Sequence, residues 1–72
     1  MLHVAGSEAD ALVTINDRYV GKLVELSKRG IRLPAGTYRI TIEQAGFFPY
    51  DEIITASGEP INIQATLVAI PD

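Results

Sequence analysis

The feature that most constrains this chain is a two-residue alternation of apolar and polar side chains. It recurs at residues 11–16, 37–43 and 61–67, where every second position is apolar. Successive side chains on a strand point to opposite faces, so each segment can place one face on a core and the other in water. The helical period of 3.6 residues is nearly absent. The pattern therefore predicts an all-β domain of half-buried antiparallel strands.

Turn-forming residues separate the alternating segments at short intervals. Asn16 and Asp17 tolerate the left-handed conformation of a tight turn, and we expect one there. The sequence Pro34-Ala35-Gly36 predicts a hairpin in which residues 30–33 pair with residues 37–40. Short strands at regular turn spacing are typical of a small sandwich or barrel.

Two segments leave alternatives open. Residues 23–28 fit a short strand, which we favour, or a helical turn. The last strand is predicted to run from Ile61 to Ile70, where Pro71 stops it. At a sheet edge this uncharged strand would offer its backbone to a partner strand, whereas inside a sheet its apolar residues would simply be core.

The length and composition of the chain restrict the protein class. It has 72 residues, enough for one domain, and we expect a net stability of only about 3–5 kcal/mol. There is no cysteine, so neither disulfides nor Cys-ligated zinc can support the fold. No apolar run approaches the ~20 residues that cross a bilayer, and we expect no membrane insertion.

The compartment has two alternatives at this point. Residues 1–6 lack the basic start and long apolar stretch of a secretory signal. We expect a cytoplasmic protein if Met1 is the native start, and an extracytoplasmic or envelope location if the chain is one domain of a longer protein.

Four segments, in this order, resemble the PEGA domain family. The resemblance extends over residues 9–67, and Asp17, Leu23-Val24 and Phe48 depart from the family pattern. The segments are Ala11-x-Val13-x-Ile15-Asn16-Asp17-Arg18-Tyr19-Val20-Gly21, Leu33-Pro34-Ala35-Gly36-Thr37-Tyr38-x-Ile40-x-Ile42, Gly46-Phe47-x-Pro49-Tyr50, and Gly58-Glu59-x-Ile61-x-Ile63-x-Ala65-x-Leu67.

The resemblance implies a single domain over residues 1–72 that is a small antiparallel β-sandwich of about six to seven short strands. It relates the chain to immunoglobulin-like and transthyretin-like folds and implies that Phe47 and Tyr50 are core positions. Modules of this family recur in bacterial and archaeal envelope, surface-layer and signalling proteins, where they bind or space other parts. The resemblance implies no catalytic residue and no cofactor.

The side chains that enzymatic sites need are scarce. The single histidine, His3, lies beside the N-terminus, where we expect it to be mobile, and the lack of cysteine excludes a Cys–His pair. No phosphate-binding glycine loop and no recognised metal motif occurs. Asp51 and Glu52 are adjacent, so they should point to opposite faces of a strand. We expect a solvated acidic strand end, with a weak calcium site as the alternative, and a protein that is not an enzyme.

Candidate contact residues include a basic group. Lys28, Arg29 and Arg32 are close in sequence, and Arg39 would join them across the predicted hairpin. Such a group can contact an anionic polymer or an acidic protein. We favour the alternative of an ordinary solvated hairpin, because aromatic residues are not interleaved and the net charge is −3. We expect no nucleic-acid partner.

Two aromatic residues are further candidates. Tyr38 is in phase with the apolar residues of its strand, and Phe47 is a family core position, so both are assigned to the core. Phe48 should then point outward, and with Tyr19 it would form an aromatic contact surface. The alternative is that Phe48 packs under a loop.

These observations lead to three hypotheses of function. The first is a protein–protein interaction or scaffolding module that contacts another protein, or other domains of its own chain, through Tyr19, Phe48 and the arginines Arg29, Arg32 and Arg39. The second is a carbohydrate- or cell-wall-binding module, which the absence of tryptophan weakens. The third is a structural spacer without a ligand.

Overall fold

The computed structural model describes residues 1–71 and consists mostly of strands. Within these residues, six strands form two sheets, and one short helix connects the third strand to the fourth. The elements in chain order are β1 (Leu2–Gly6), β2 (Leu12–Ile15), β3 (Arg18–Lys22), α1 (Leu23–Lys28), β4 (Gly36–Glu43), β5 (Tyr50–Ala56) and β6 (Ile61–Ala65). The predicted all-β class is confirmed.

The larger sheet has four antiparallel strands in the order β3-β2-β4-β5. The predicted turn between β2 and β3 is confirmed, because Asn16 and Asp17 have φ values of 51° and 66°. Two such residues are what a two-residue hairpin loop needs to match the twist of its strands. Asn16 also accepts a hydrogen bond at Oδ1 from the Arg39 amide at 2.9 Å, which ties the turn to β4.

The second sheet has two strands, β1 and β6, and they run parallel. Our expectation of antiparallel pairing throughout is therefore wrong. The expectation of a mobile His3 is also not met, since His3 lies within β1 opposite Asn62. A parallel pair requires a long connection between its strands. Here that connection is the whole four-stranded sheet, because β1 and β6 are the first and last strands of the chain.

The predicted hairpin around residues 34–36 does not form. Ile31 pairs with Leu2 in an isolated bridge, and the neighbours of β4 are β2 and β5. The segment around Pro34 is held instead by Tyr38, whose hydroxyl donates to the Pro34 carbonyl at 2.7 Å. The apolar residues near Pro34, Ile31 and Leu33, pack against the core.

Residues 23–28 form the helix α1, not the strand that we favoured. Leu23 and Leu26 are both buried, and a spacing of three places them on one helical face. The Glu25 side chain accepts from the Lys22 amide at 3.1 Å at the start of the helix. The Leu23 amide has no partner within the helix, and it donates to the Ala11 carbonyl at 2.8 Å.

One hydrophobic cluster contains buried residues from both sheets and from α1. The least exposed large side chains are Leu2, Val4, Val13, Ile40 and Ile42. They come from β1, β2 and β4, and each follows the two-residue alternation. No polar or charged side chain among residues 1–71 is buried.

Candidate interaction surface

Two segments outside both sheets run side by side, one just before β5 and the other after β6. The Phe48 amide donates to the Val68 carbonyl at 2.8 Å, and the Ile70 amide donates to the Gly46 carbonyl at 2.9 Å. Phe47 and Ala69 form the bridge between these bonds. The last strand is thus shorter than predicted, because β6 ends at Ala65 and the chain then turns to pair with residues 46–48.

This pairing presents three apolar side chains to solvent, which we call the apolar ridge: Phe48, Val68 and Ile70. Alternate residues of a paired segment point to opposite sides, so all three lie on the side away from Phe47. Their exposed fractions are 49%, 63% and 48%, whereas Phe47 is half-buried against the core. The expectation that Phe48 faces outward is confirmed. Val68 and Ile70 were missed because they were assigned to a continuous last strand.

Tyr19 is exposed as well, but it does not lie beside Phe48. It stands on β3 opposite Thr14, and Thr14 in turn stands opposite Thr41 on β4. Phe48 precedes β5 at the other edge of the same sheet. Adjacent strands are about 4.8 Å apart, so roughly 14 Å of sheet separates β3 from β5. The single aromatic surface that we expected is therefore two separate exposed aromatics.

Tyr19 shares the outer face of the four-stranded sheet with a polar cluster. Arg39 donates to Asp51 through Nε at 3.2 Å and Nη2 at 3.3 Å, and the Thr41 hydroxyl donates to the same carboxylate at 2.6 Å. The hydrogen bonds from Thr41 and Arg39 hold the pKa of Asp51 below its ordinary value. The same contact raises the pKa of Arg39.

The basic group is dispersed by the fold. Arg39 pairs with Asp51 on the sheet, and Arg29 pairs with Glu25 on α1 at 3.3 Å. Arg32 lies exposed in the segment that was expected to form a strand opposite Arg39. Two of the three candidate arginines thus have a carboxylate partner within the domain, and the helix and the sheet hold them on different elements.

Asp51 and Glu52 point to opposite faces, as adjacent strand residues should. Asp51 lies on the outer face, and Glu52 accepts a hydrogen bond from the Tyr50 hydroxyl on the inner side. This hydrogen bond is the main cause of a raised pKa for Tyr50. The two carboxylates therefore do not converge on one ion or substrate.

Neither a metal cluster nor a membrane helix is found in the described part of the chain. Residues 1–71 contain no group of three or more His, Cys, Asp or Glu side chains that could hold a metal ion. No helix within that range is long and apolar enough to cross a bilayer.

Comparison with known proteins gives one match. The family model described as the PEGA domain matches residues 1–70 of the 72. Searches of curated proteins and of solved structures found no match.

Proposed function

This chain belongs to the PEGA domain family, and from that premise we propose that it is a non-catalytic protein–protein interaction or scaffolding module. Its partner is another protein or another domain of its own polypeptide. We further propose that the two sheets are the layers of an immunoglobulin-like sandwich, which a core drawn from both sheets supports. The family resemblance supports a parent protein of the bacterial cell envelope.

The observation that carries this proposal is the apolar ridge. Phe48, Val68 and Ile70 are large apolar side chains, and each is about half exposed or more. Apolar side chains that cluster at a surface are typical of protein contacts, and aromatic residues contribute most to their binding energy.

The ridge is also held in place before a partner arrives. Backbone hydrogen bonds join residues 46–48 to residues 68–70 on both sides of the Phe47–Ala69 bridge. Half-buried Phe47 anchors one of the two segments to the core. The ridge residues therefore lose little conformational entropy when a partner binds, which favours binding.

The proposal is tested by comparing Phe48→Ser with the matched variant Tyr19→Ser. Both residues are exposed aromatics, but only Phe48 belongs to the ridge. Proteins captured from the native host by the wild-type domain are identified, purified and titrated against each variant. We expect Phe48→Ser to weaken binding at least about tenfold, or about 1.4 kcal/mol, and Tyr19→Ser to change it little.

Two results would contradict the proposed contact through the apolar ridge. Loss of binding with Tyr19→Ser alone would move the contact to the outer face of the four-stranded sheet. Failure to capture any protein with the wild-type domain would contradict the proposal and favour a spacer or a sugar-binding module. Amide spectra of both variants serve as the check that each is folded.

A carbohydrate-binding function is the second candidate, and a shallow depression beside β1 and β6, lined by both polar and apolar residues, favours it. Its lining includes His3, Ser27, Asn62 and Gln64. Amide and hydroxyl side chains form the hydrogen bonds that sugar hydroxyls require. Titration of cell-wall polysaccharide fragments should then shift the side-chain amide signals of Asn62 and Gln64. A titration without shifts there would remove this candidate.

A further inference from the structure

The strand β5 forms one edge of the four-stranded sheet, and the hydrogen bonds of its neighbour show which of its backbone groups are free. The Asn16 amide donates to the Arg39 carbonyl at 2.9 Å, beside the pair of Ile15 and Ile40. In an antiparallel ladder, bonded and non-bonded pairs alternate, so Arg39 and Thr41 direct their backbone groups toward β2.

It follows that Tyr38, Ile40 and Ile42 bond to β5. Their partners on β5 are Ile54, Glu52 and Tyr50. The backbone groups of the remaining alternate residues, Asp51, Ile53 and Thr55, therefore point away from the sheet. No other backbone hydrogen bond in the described part of the chain involves residues 50–56.

The side chains of Asp51, Ile53 and Thr55 share the outer face of the sheet. Ile53 is the most exposed large apolar residue of those described, at 71%. An exposed apolar residue in the middle of a regular edge strand is a feature that soluble domains usually avoid. The β4–β5 register is unbroken from Gly36 to Ile42, so the edge is also regular.

The other three candidate edges are less suited to pairing, and β1 is already bonded to Ile31 at Leu2. The edge strand β3 has a register shift against β2 and a cation at each end, Arg18 and Lys22, and both features discourage strand addition. The strand β6 follows Pro60 and is only five residues long. The Ile61 amide donates to the Met1 carbonyl at 3.0 Å. On β6, only Asn62 and Gln64 therefore direct their backbone N–H and C=O groups away from β1.

We propose that two copies of this chain associate by antiparallel pairing of their β5 strands, with Ile53 of one copy directly opposite Ile53 of the other. The two sheets then continue into one, and the outward backbone groups of Asp51, Ile53 and Thr55 are satisfied. This association uses neither the apolar ridge nor any partner protein, so it extends the proposed function and does not depend on it.

Charge and backbone chemistry favour this register over those centred on Asp51 or Thr55. With Ile53 at the centre, Asp51 stands opposite Thr55 of the second copy, and the two apolar Ile53 side chains meet. With Asp51 at the centre, the two carboxylates would face each other, and Ile53 would meet Pro49, which has no amide to donate. With Thr55 at the centre, Asp51 would face Glu59. Among the registers centred on one of these three outward residues, only the Ile53 register avoids opposed like charges, and it brings the two exposed Ile53 side chains into contact.

The absence of cysteine from the chain allows a direct test by cross-linking. In the proposed register the two Ile53 Cα atoms form a bonded pair about 5.5 Å apart, within the range of a disulfide. We expect Ile53→Cys to form a disulfide-linked dimer under mild oxidation. The matched control is Thr55→Cys, because the two Thr55 residues are four positions out of register and roughly 13 Å apart.

Equal cross-linking of both cysteine variants, or of neither, would overturn the proposal.

A second test measures association without a covalent cross-link. Sedimentation equilibrium should show a dimer for the wild-type chain, and Ile53→Lys should raise its dissociation constant about tenfold or more, since two ammonium groups would then be opposed. The control Leu12→Lys adds the same charge on the same face, on the internal strand β2, and should leave the dimer intact. A wild-type chain that stays monomeric at every soluble concentration would refute self-pairing and leave the edge to a strand of another protein.

Discussion

Arg39 and Asp51 face each other diagonally across β4 and β5, and two hydrogen bonds join the guanidinium to the carboxylate. This ion pair changes how the basic residues of the sequence are interpreted. Arg39 was grouped with Arg29 and Arg32 as a contact for acidic partners, but its charge is balanced within the sheet.

Thr41→Val should raise the pKa of Asp51 toward its ordinary value. The Thr41 hydroxyl is the largest cause of the lowered pKa, and valine keeps the shape of the side chain without the donor. A carboxyl whose folded-state pKa is lowered stabilises the fold above its unfolded pKa of about 3.9, and this contribution is lost as the pH falls through the folded value. The variant should therefore lose less stability than the wild type on acidification. Carboxyl-carbon NMR titration measures the pKa, and an unchanged value would contradict the contact.

Leu23→Ala and Leu26→Ala should each reduce the free energy of unfolding by about 2–5 kcal/mol. Both side chains are buried, which only a helical spacing permits. Val24→Ala should cost less, since Val24 is only partly buried. In a strand, Val24 and Leu26 would share a face and behave alike. Urea denaturation of the three variants distinguishes the two conformations, and similar losses for Val24→Ala and Leu26→Ala would favour the strand.

Ile40→Ala should cost about 2–5 kcal/mol, because Ile40 is completely buried in the core. A domain of this size has a total stability of about 3–5 kcal/mol, so the variant should be largely unfolded at room temperature. The matched control is Leu12→Ala on the neighbouring strand β2, where a comparable truncation affects a half-exposed side chain. Equal losses in thermal or urea unfolding would mean that the assigned faces of the sheet are wrong.

Gly6→Ala should separate β1 from β6. A Cβ atom at Gly6 would lie 2.3 Å from the Ala65 carbonyl oxygen, and this backbone atom moves only if the strands move. We expect faster hydrogen exchange at the amides of Ile63 and Ala65 than in the wild type. The control Ser7→Ala alters the adjacent exposed position and should leave exchange unchanged. Unaltered exchange in Gly6→Ala would be inconsistent with the parallel pairing.

Part of the site could be foreseen from local pattern. The outward direction of Phe48 follows from the inward direction of Phe47, because adjacent side chains of an extended segment diverge. Val68 and Ile70 could not be assigned in this way. They leave the alternation of the last strand to pair with residues 46–48, and that pairing depends on where two remote segments meet.

The sequence by itself determined that the chain forms strands, which face of β2 and β4 enters the core, and where the Asn16–Asp17 turn lies. These properties depend on side chains within a few residues of each other, and periodicity and turn chemistry report them directly. Only the tertiary structure decided that β1 pairs in parallel with β6, that β5 stands at an edge and that residues 23–28 are helical. Each of those outcomes depends on which distant backbone or apolar surface is free to pair, and separation along the chain does not specify that choice.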